Sequence, residues 1–193
     1  IGMHRTGVPP GPAVVELAQR VAQTRGVELC GVMGYEGHVL TMAPPAAKAQ
    51  ATAQAIAHLA RARDDLVALG LPCPIVSAGG TGSYADTAAC PGVTEIQAGG
   101  GIFMDAMYRD ACHVGEQLGF ALTVLATVTS RRDGLAVVDA GFKTLSAFHH
   151  PPRPQDRDDL ELAYLSAEHG VFRVVRGAGP ALGERISLLP GYS

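Results

Sequence analysis

Two glycine clusters mark where this backbone is able to do chemistry. Gly79–Ser83 reads GGTGS and Gly99–Gly101 reads GGG. Each follows a short apolar run, Ile75–Val76 in one case and Thr94–Ile96 in the other. Glycine permits positive φ and lets N–H groups approach a ligand with no Cβ in the way. Successive N–H groups in such a loop make an anion-binding concavity, to which Thr81 and Ser83 would add hydroxyl donors. The pattern fits a phosphate cradle built from two consecutive βα loops. Two ordinary glycine-rich turns are the competing reading. Upstream, Arg5 sits between Gly2 and Gly7. It is either a solvated loop arginine or one aimed at an anionic oxygen. A strand-length apolar run, Val27–Met33, opens into Gly34–His38 (GYEGH). That composition suits a site-facing loop carrying Tyr35 and His38, although either side chain alone would more often be structural.

The elements that must position these residues alternate. Pro12–Arg25 has apolar residues at helical spacing, with Gly26 as the expected C-cap. Ala46–Leu69 is rich in alanine, the best helix former, and Gly70 should stop it. Strands are expected at Val27–Met33, at Ile75 and at Thr94. Strand–helix alternation implies parallel α/β, with the candidate residues at the C-terminal ends of successive strands. That is where a (β/α)8 barrel keeps its site. A Rossmann fold would place one GxGxxG loop near its first strand, and neither loop here has that spacing. After about residue 110 the character changes. Phe120–Thr129, Leu135–Ala140, Ala163–Ser166, Gly170–Arg176 and Ile186–Leu189 read as short strands. Arg131–Gly134 reads as a turn and Pro151–Asp159 as a polar loop. The expected architecture is part of a (β/α)8 TIM-like barrel over residues 1–112, followed by a mainly antiparallel β domain over 113–193.

Composition narrows the function. The chain has 193 residues, 47% apolar and 17% charged, so a sizeable core is expected. Its net charge of −3, without a basic cluster, argues against nucleic acid as a partner. No apolar run reaches the ~18 residues of a membrane helix. Cys30, Cys73, Cys90 and Cys112 lack CxxC spacing and read as reduced thiols of a cytoplasmic protein. The chain begins Ile-Gly-Met and ends Pro-Gly-Tyr-Ser, as expected of a piece of a longer polypeptide.

Six motifs in order carry a family resemblance. They are Gly2–Gly7 (GMHRTG), Gly31–His38 (GVMGYEGH), Gly79–Ser83 (GGTGS), Thr94–Gly99 (TEIQAG) with Phe103–Asp105, Asp139–Lys143 (DAGFK) and Glu168–Gly170 (EHG). On these the chain resembles the fold-type III pyridoxal-phosphate (PLP) enzymes, nearest the group of D-threonine aldolase and D-serine dehydratase, relatives of alanine racemase. The resemblance implies that Gly79, Gly80, Thr81, Gly99 and Gly100 hold the coenzyme phosphate. It implies that Arg5 lies near the phenolic oxygen, Tyr35 packs on the pyridine ring and Gln97 faces the ring nitrogen. A glutamine there protonates that nitrogen only weakly, so a moderated electron sink is expected. Glu168 and His169 match an element of the second domain close to the active site. The Schiff-base lysine is expected upstream of Ile1, since neither Lys48 nor Lys143 matches it.

The implied activity is a PLP-dependent lyase on D-β-hydroxy amino acids. It acts by retro-aldol cleavage to glycine plus an aldehyde, or by elimination. Metal-dependent relatives end in a Pro-x-His element, and here Tyr192 replaces that His, so a divalent metal is doubtful. Without it His38 and His169 are the candidate bases, because imidazole titrates near neutrality. Alternatives are an amino-acid racemase of the same fold, with Tyr164 or Tyr192 as second base, and a PLP-binding protein without turnover. The implied partner is a small amino-acid substrate. Relatives are dimers or monomers, so a homodimer is one expected assembly.

Overall fold

A computed structural model describes every residue from Ile1 to Ser193. The chain divides into two compact units, Ile1–Gly99 and Gly100–Ser193.

The first unit is α/β. Helix α1 spans Pro12–Gln23 and helix α2 spans Pro45–Ala68, each with proline in its first turn. Proline costs nothing there, because that N–H has no intrahelical partner. Helix α2 buries Lys48, Thr52, Ala55, Ile56, Leu59, Ala62 and Leu66. These recur every three or four residues and form one stripe. Three short strands, β1 (Gly31–Met33), β2 (Ile75–Ala78) and β3 (Glu95–Ile96), pair in parallel in the order β1-β2-β3. Helix α3 (Tyr84–Ala88) connects β2 to β3. Val76 and Ala78 pack with Ile56 and Leu59 of α2. Ser77 and its register partners Met33 and Glu95 therefore occupy the opposite face of the sheet. The expected strand Val27–Met33 is shorter than its apolar pattern. Only Gly31–Met33 pairs with β2, and Val27 is exposed. Helix α1 also ends two residues short of Arg25, because Thr24 already has extended backbone angles.

The second unit is a six-stranded antiparallel sheet in the order β6-β9-β4-β5-β8-β7. Its strands are β4 (Val124–Arg132), β5 (Leu135–Val138), β6 (Arg153–Pro154), β7 (Leu160–Leu165), β8 (Gly170–Val174) and β9 (Arg185–Leu189). The core holds Val128, Ala136, Val138, Leu145, Leu160, Phe172, Ile186 and Leu188. Fully burying side chains of the Val, Leu or Phe type contributes about 1.5–3 kcal/mol each. Arg131 and Arg132 are not turn residues as expected, since they pair with Ala136 and Leu135 at the end of β4. The turn is only Asp133–Gly134, with φ of 46° and 73°. Two consecutive positive φ values define a type I′ hairpin, and Asp-Gly is the pair that tolerates it. The expected loop Pro151–Asp159 also yields an edge strand, because Arg153 and Pro154 pair with Leu189 and Leu188. No helix is long and apolar enough to cross a membrane.

Candidate active site

The parallel pairing of β2 and β3 decides where the glycine loops go. Ala78 pairs with Ile96, and Gln97 N–H donates to the Ala78 carbonyl at 3.2 Å. Gly79–Ser83 and the segment that begins at Gly99 thus leave the same C-terminal edge of the sheet. That edge is where open and closed parallel α/β sheets bind ligands.

A buried carboxylate organises the first loop. Glu36 has no solvent exposure. Its Oε1 accepts hydrogen bonds from the hydroxyls of Ser83 and Thr87, both at 2.6 Å, and its Oε2 accepts from Gly79 N–H at 3.3 Å. Gly80 N–H donates to Ser83 Oγ at 3.3 Å. From α2, the buried Lys48 ammonium donates to the Gly82 carbonyl. The N–H groups of Gly79 and Gly80 are therefore already engaged within the protein, one by Glu36 and one by Ser83. Thr81 differs. Its side chain is buried and Oγ1 has no partner. An unpaired buried hydroxyl costs about 1–3 kcal/mol, so a group from outside the protein fold would recover that cost. Burial, and then the charges of Glu36 and Asp86, push the nearby Cys90 thiol above its usual range.

Gly80 is glycine for want of room. A Cβ there would lie 2.9 Å from Cε2 and 3.2 Å from the hydroxyl of Tyr35. The Tyr35 ring in turn carries the Arg5 guanidinium 5.7 Å from its centroid, within cation–π range. Arg5, Tyr35 and the Gly79–Thr81 loop are thus brought together. Gln97, the residue after β3, donates through Nε2 to Ser77 Oγ at 2.6 Å, while Ser77 Oγ donates to Glu95 Oε1. Gly99 starts a single 3₁₀ turn and borders open space, so a ligand would meet no obstruction there. Gly100 belongs to the second unit and lies against the Tyr108 ring. His38 is exposed on a 3₁₀ turn, Gly37–Val39, with its imidazole pressed against Gly2. His169 sits in the β7–β8 turn of the second unit, where its carbonyl accepts from Ser166 N–H at 2.8 Å. Lys143 is paired with Glu168 at 2.7 Å. A cavity of about 350 Å³ shares Arg5 and Tyr35 with this region but runs between α1, α2 and β1, away from the glycine loops.

Glu36, Ser77, Glu95 and Thr87 carry no role in the sequence analysis, and Lys48 enters there only as a lysine that does not match the Schiff-base position. One signal was present for two of them. Ser77 is a single polar residue in the apolar run Ile75–Ala78, and Glu95 and Gln97, two apart, share a face along the direction of the next strand.

Residues 1–107 match the family model described as alanine racemase, N-terminal domain, and residues 121–193 match a serine dehydratase domain model. D-threonine aldolase of an Arthrobacter species is 35% identical over 196 residues, a match covering 100% of this chain and 52% of that protein. The crystal structure of D-threonine aldolase from Filomicrobium marinum superposes with a TM-score of 0.92 at 35% identity, covering 99% of this chain and 52% of that one. D-threo-3-hydroxyaspartate dehydratase from Delftia sp. HT23 gives a TM-score of 0.83 at 28% identity, covering 98% and 56%. The chain spans about half the length of the curated relatives it matches.

Proposed function

The chain belongs to the alanine racemase N-terminal domain family, and from that premise we propose that it is part of a PLP-dependent lyase acting on D-β-hydroxy amino acids. Retro-aldol cleavage to glycine and an aldehyde stands ahead of elimination, in keeping with the aldolase names of two relatives at 35% and 36% identity. The observation that carries the reading is the unpartnered, buried Thr81 hydroxyl at the tip of a glycine loop on the C-terminal sheet edge. A phosphate oxygen is the acceptor that this donor lacks.

The coenzyme, when bound, supplies a sink for negative charge developing at the substrate Cα. The residues present fit it. Thr81 Oγ1 would donate to the phosphate, and Gly79, Gly80, Gly99 and Gly100 would let the chain approach it. Arg5, held over Tyr35, would offer its guanidinium to the phenolic oxygen, and the Tyr35 ring would pack on the pyridine. His38 would take the proton from the substrate β-hydroxyl at an imidazole nitrogen, and His169 is the second candidate for that role. Lys48 and Lys143 are engaged with Gly82 and Glu168. Neither stands at the family's lysine position, so the proposal takes the tethering lysine from the whole protein, upstream of Ile1. We leave a divalent metal out of this proposal, because Tyr192 stands where the metal-dependent relatives are expected to carry His and a phenol is a poor divalent ligand beside imidazole. Tyr192 lies among the rings of Tyr108, Phe148 and His149.

The architecture proposed for the whole protein is a (β/α)8 barrel, its C-terminal part in residues 1–112, with an antiparallel β domain from 113 to 193. A cytoplasmic homodimer is the assembly proposed with it. The test is to incubate full-length protein and PLP with D-threonine or D-phenylserine. Glycine with acetaldehyde or benzaldehyde is the expected result. A keto acid with ammonia would reassign the reaction to elimination, and neither product would end the lyase reading. Bound coenzyme whose absorbance no D-amino acid alters would point to a binder without turnover.

A further inference from the structure

Counting protons along one side-chain chain fixes the polarity of Gln97. Ser77 is buried, between Glu95 and Gln97. A serine hydroxyl has one proton to give, and a carboxylate only accepts. That proton goes to Glu95 Oε1. The Ser77 oxygen must then accept from its other neighbour, and the Gln97 group facing it must be the amide nitrogen, at 2.6 Å. The amide therefore cannot turn over without placing oxygen against oxygen. Its carbonyl is left facing away from Ser77.

We infer that Glu95 and Ser77 are positioning residues that hold Gln97 as an obligate hydrogen-bond acceptor, so that the ligand atom it meets must carry a proton. The inference rests on the coenzyme reading above, in which that atom is the pyridine nitrogen. It specifies the nitrogen's protonation state. A bare pyridine nitrogen would meet a carbonyl oxygen, two acceptors with no proton between them. A protonated one donates to Gln97 and is stabilised there. The sink is then stronger than glutamine at this position suggests by residue type alone, because the amide's orientation, not its acidity, controls the nitrogen.

Removal of the Glu95 carboxylate frees the Ser77 proton to turn toward Gln97. The amide then flips at no cost and offers its NH₂ to an unprotonated ring. Glu95 is exposed, so Glu95→Ala preserves the fold. Ser77→Ala removes the link from the buried side. The experiment loads the full-length protein with PLP labelled with nitrogen-15 in the ring and reads that nitrogen's NMR shift, with coenzyme stoichiometry followed by absorbance. The wild-type signal is expected in the pyridinium range near neutral pH. In E95A and S77A it should move toward the free-pyridine range while one coenzyme per chain stays bound. A wild-type nitrogen without a proton, or variants whose signal does not move, overturns the inference and leaves the coenzyme reading standing. A wild-type protein that takes up no coenzyme overturns both.

Discussion

The two units put their polar groups in opposite places. Seven of the eight buried polar or charged residues, Glu36, Lys48, Thr52, Ser77, Thr81, Ser83 and Thr87, belong to the first unit, and only Asp105 to the second. The second unit instead collects ten buried apolar residues in one cluster, while the first has clusters of four and three. A buried polar group contributes little net stability even when paired and is costly when it is not. The second unit is therefore built to be stable. The first gives up apolar packing for a skeleton that aims backbone and hydroxyl groups at one edge of the sheet.

The largest test of that contrast is Phe172→Ala. Phe172 is fully buried in the second unit's core. Truncation should cost about 4 kcal/mol, as expected for a buried aromatic replaced by alanine. Urea denaturation would register the loss, and coenzyme affinity of the folded protein should not change. Glu36→Gln is next, at about 2 kcal/mol, since one of its acceptor oxygens becomes an NH₂ that cannot receive a donor. Here stability and coenzyme affinity should fall together, because the same carboxylate fixes Gly79, Ser83 and Thr87. An E36Q protein that binds PLP normally would break the comparison.

Thr81→Val separates the two properties. Valine has nearly the same shape and no hydroxyl. The buried Thr81 Oγ1 has no partner within the protein, so unfolding free energy should hold steady or rise slightly. Coenzyme affinity should drop about tenfold, the equivalent of roughly 1.4 kcal/mol for one lost hydrogen bond to a charged group. Titration of the T81V protein with PLP, alongside its thermal melt, measures both. Loss of stability without loss of affinity would mean that the hydroxyl serves the fold.

What the sequence revealed follows from the range of the interaction concerned. Helix α2, the two glycine loops and the β-rich second half were legible because propensity, periodicity and turn chemistry are local. The Tyr35 and Arg5 pairing was legible only as two residues in separate loops. Glu36 was invisible as an organiser, although it stood inside a motif that drew notice. Its partners lie 43, 47 and 51 positions away, and no short-range pattern records such a distance. The Asp133–Gly134 turn shows the converse. Its dipeptide is in plain view, but the charge of Arg131 and Arg132 marks an exposed strand end as well as it marks a turn, so composition alone does not place the boundary.

The smallest expected effect lies in the second unit, where charge is kept at the surface. Arg157 pairs with Asp159 at 2.7 Å and with Glu184 at 2.6 Å. The hydrogen bond from Arg157 holds the Asp159 carboxyl below its usual value of 3.8, and Ala181 N–H followed by Arg157 lowers Glu184. A carboxyl depressed in the folded state stabilises the fold at pH above its unfolded value and loses that contribution as pH falls through its folded value. The triad's contribution should accordingly be constant near neutrality and disappear below about pH 4. Asp159→Asn removes the group that titrates. The stability gap between wild type and D159N, read from urea midpoints, should be small at about pH 6 and close as the pH approaches 3. The apolar cluster around Phe172 contains no titrating group, so the gap between wild type and F172A should not close over that range. If both gaps narrow equally, acid is acting on the whole second unit, and its stability cannot be assigned to the apolar core apart from the surface charges.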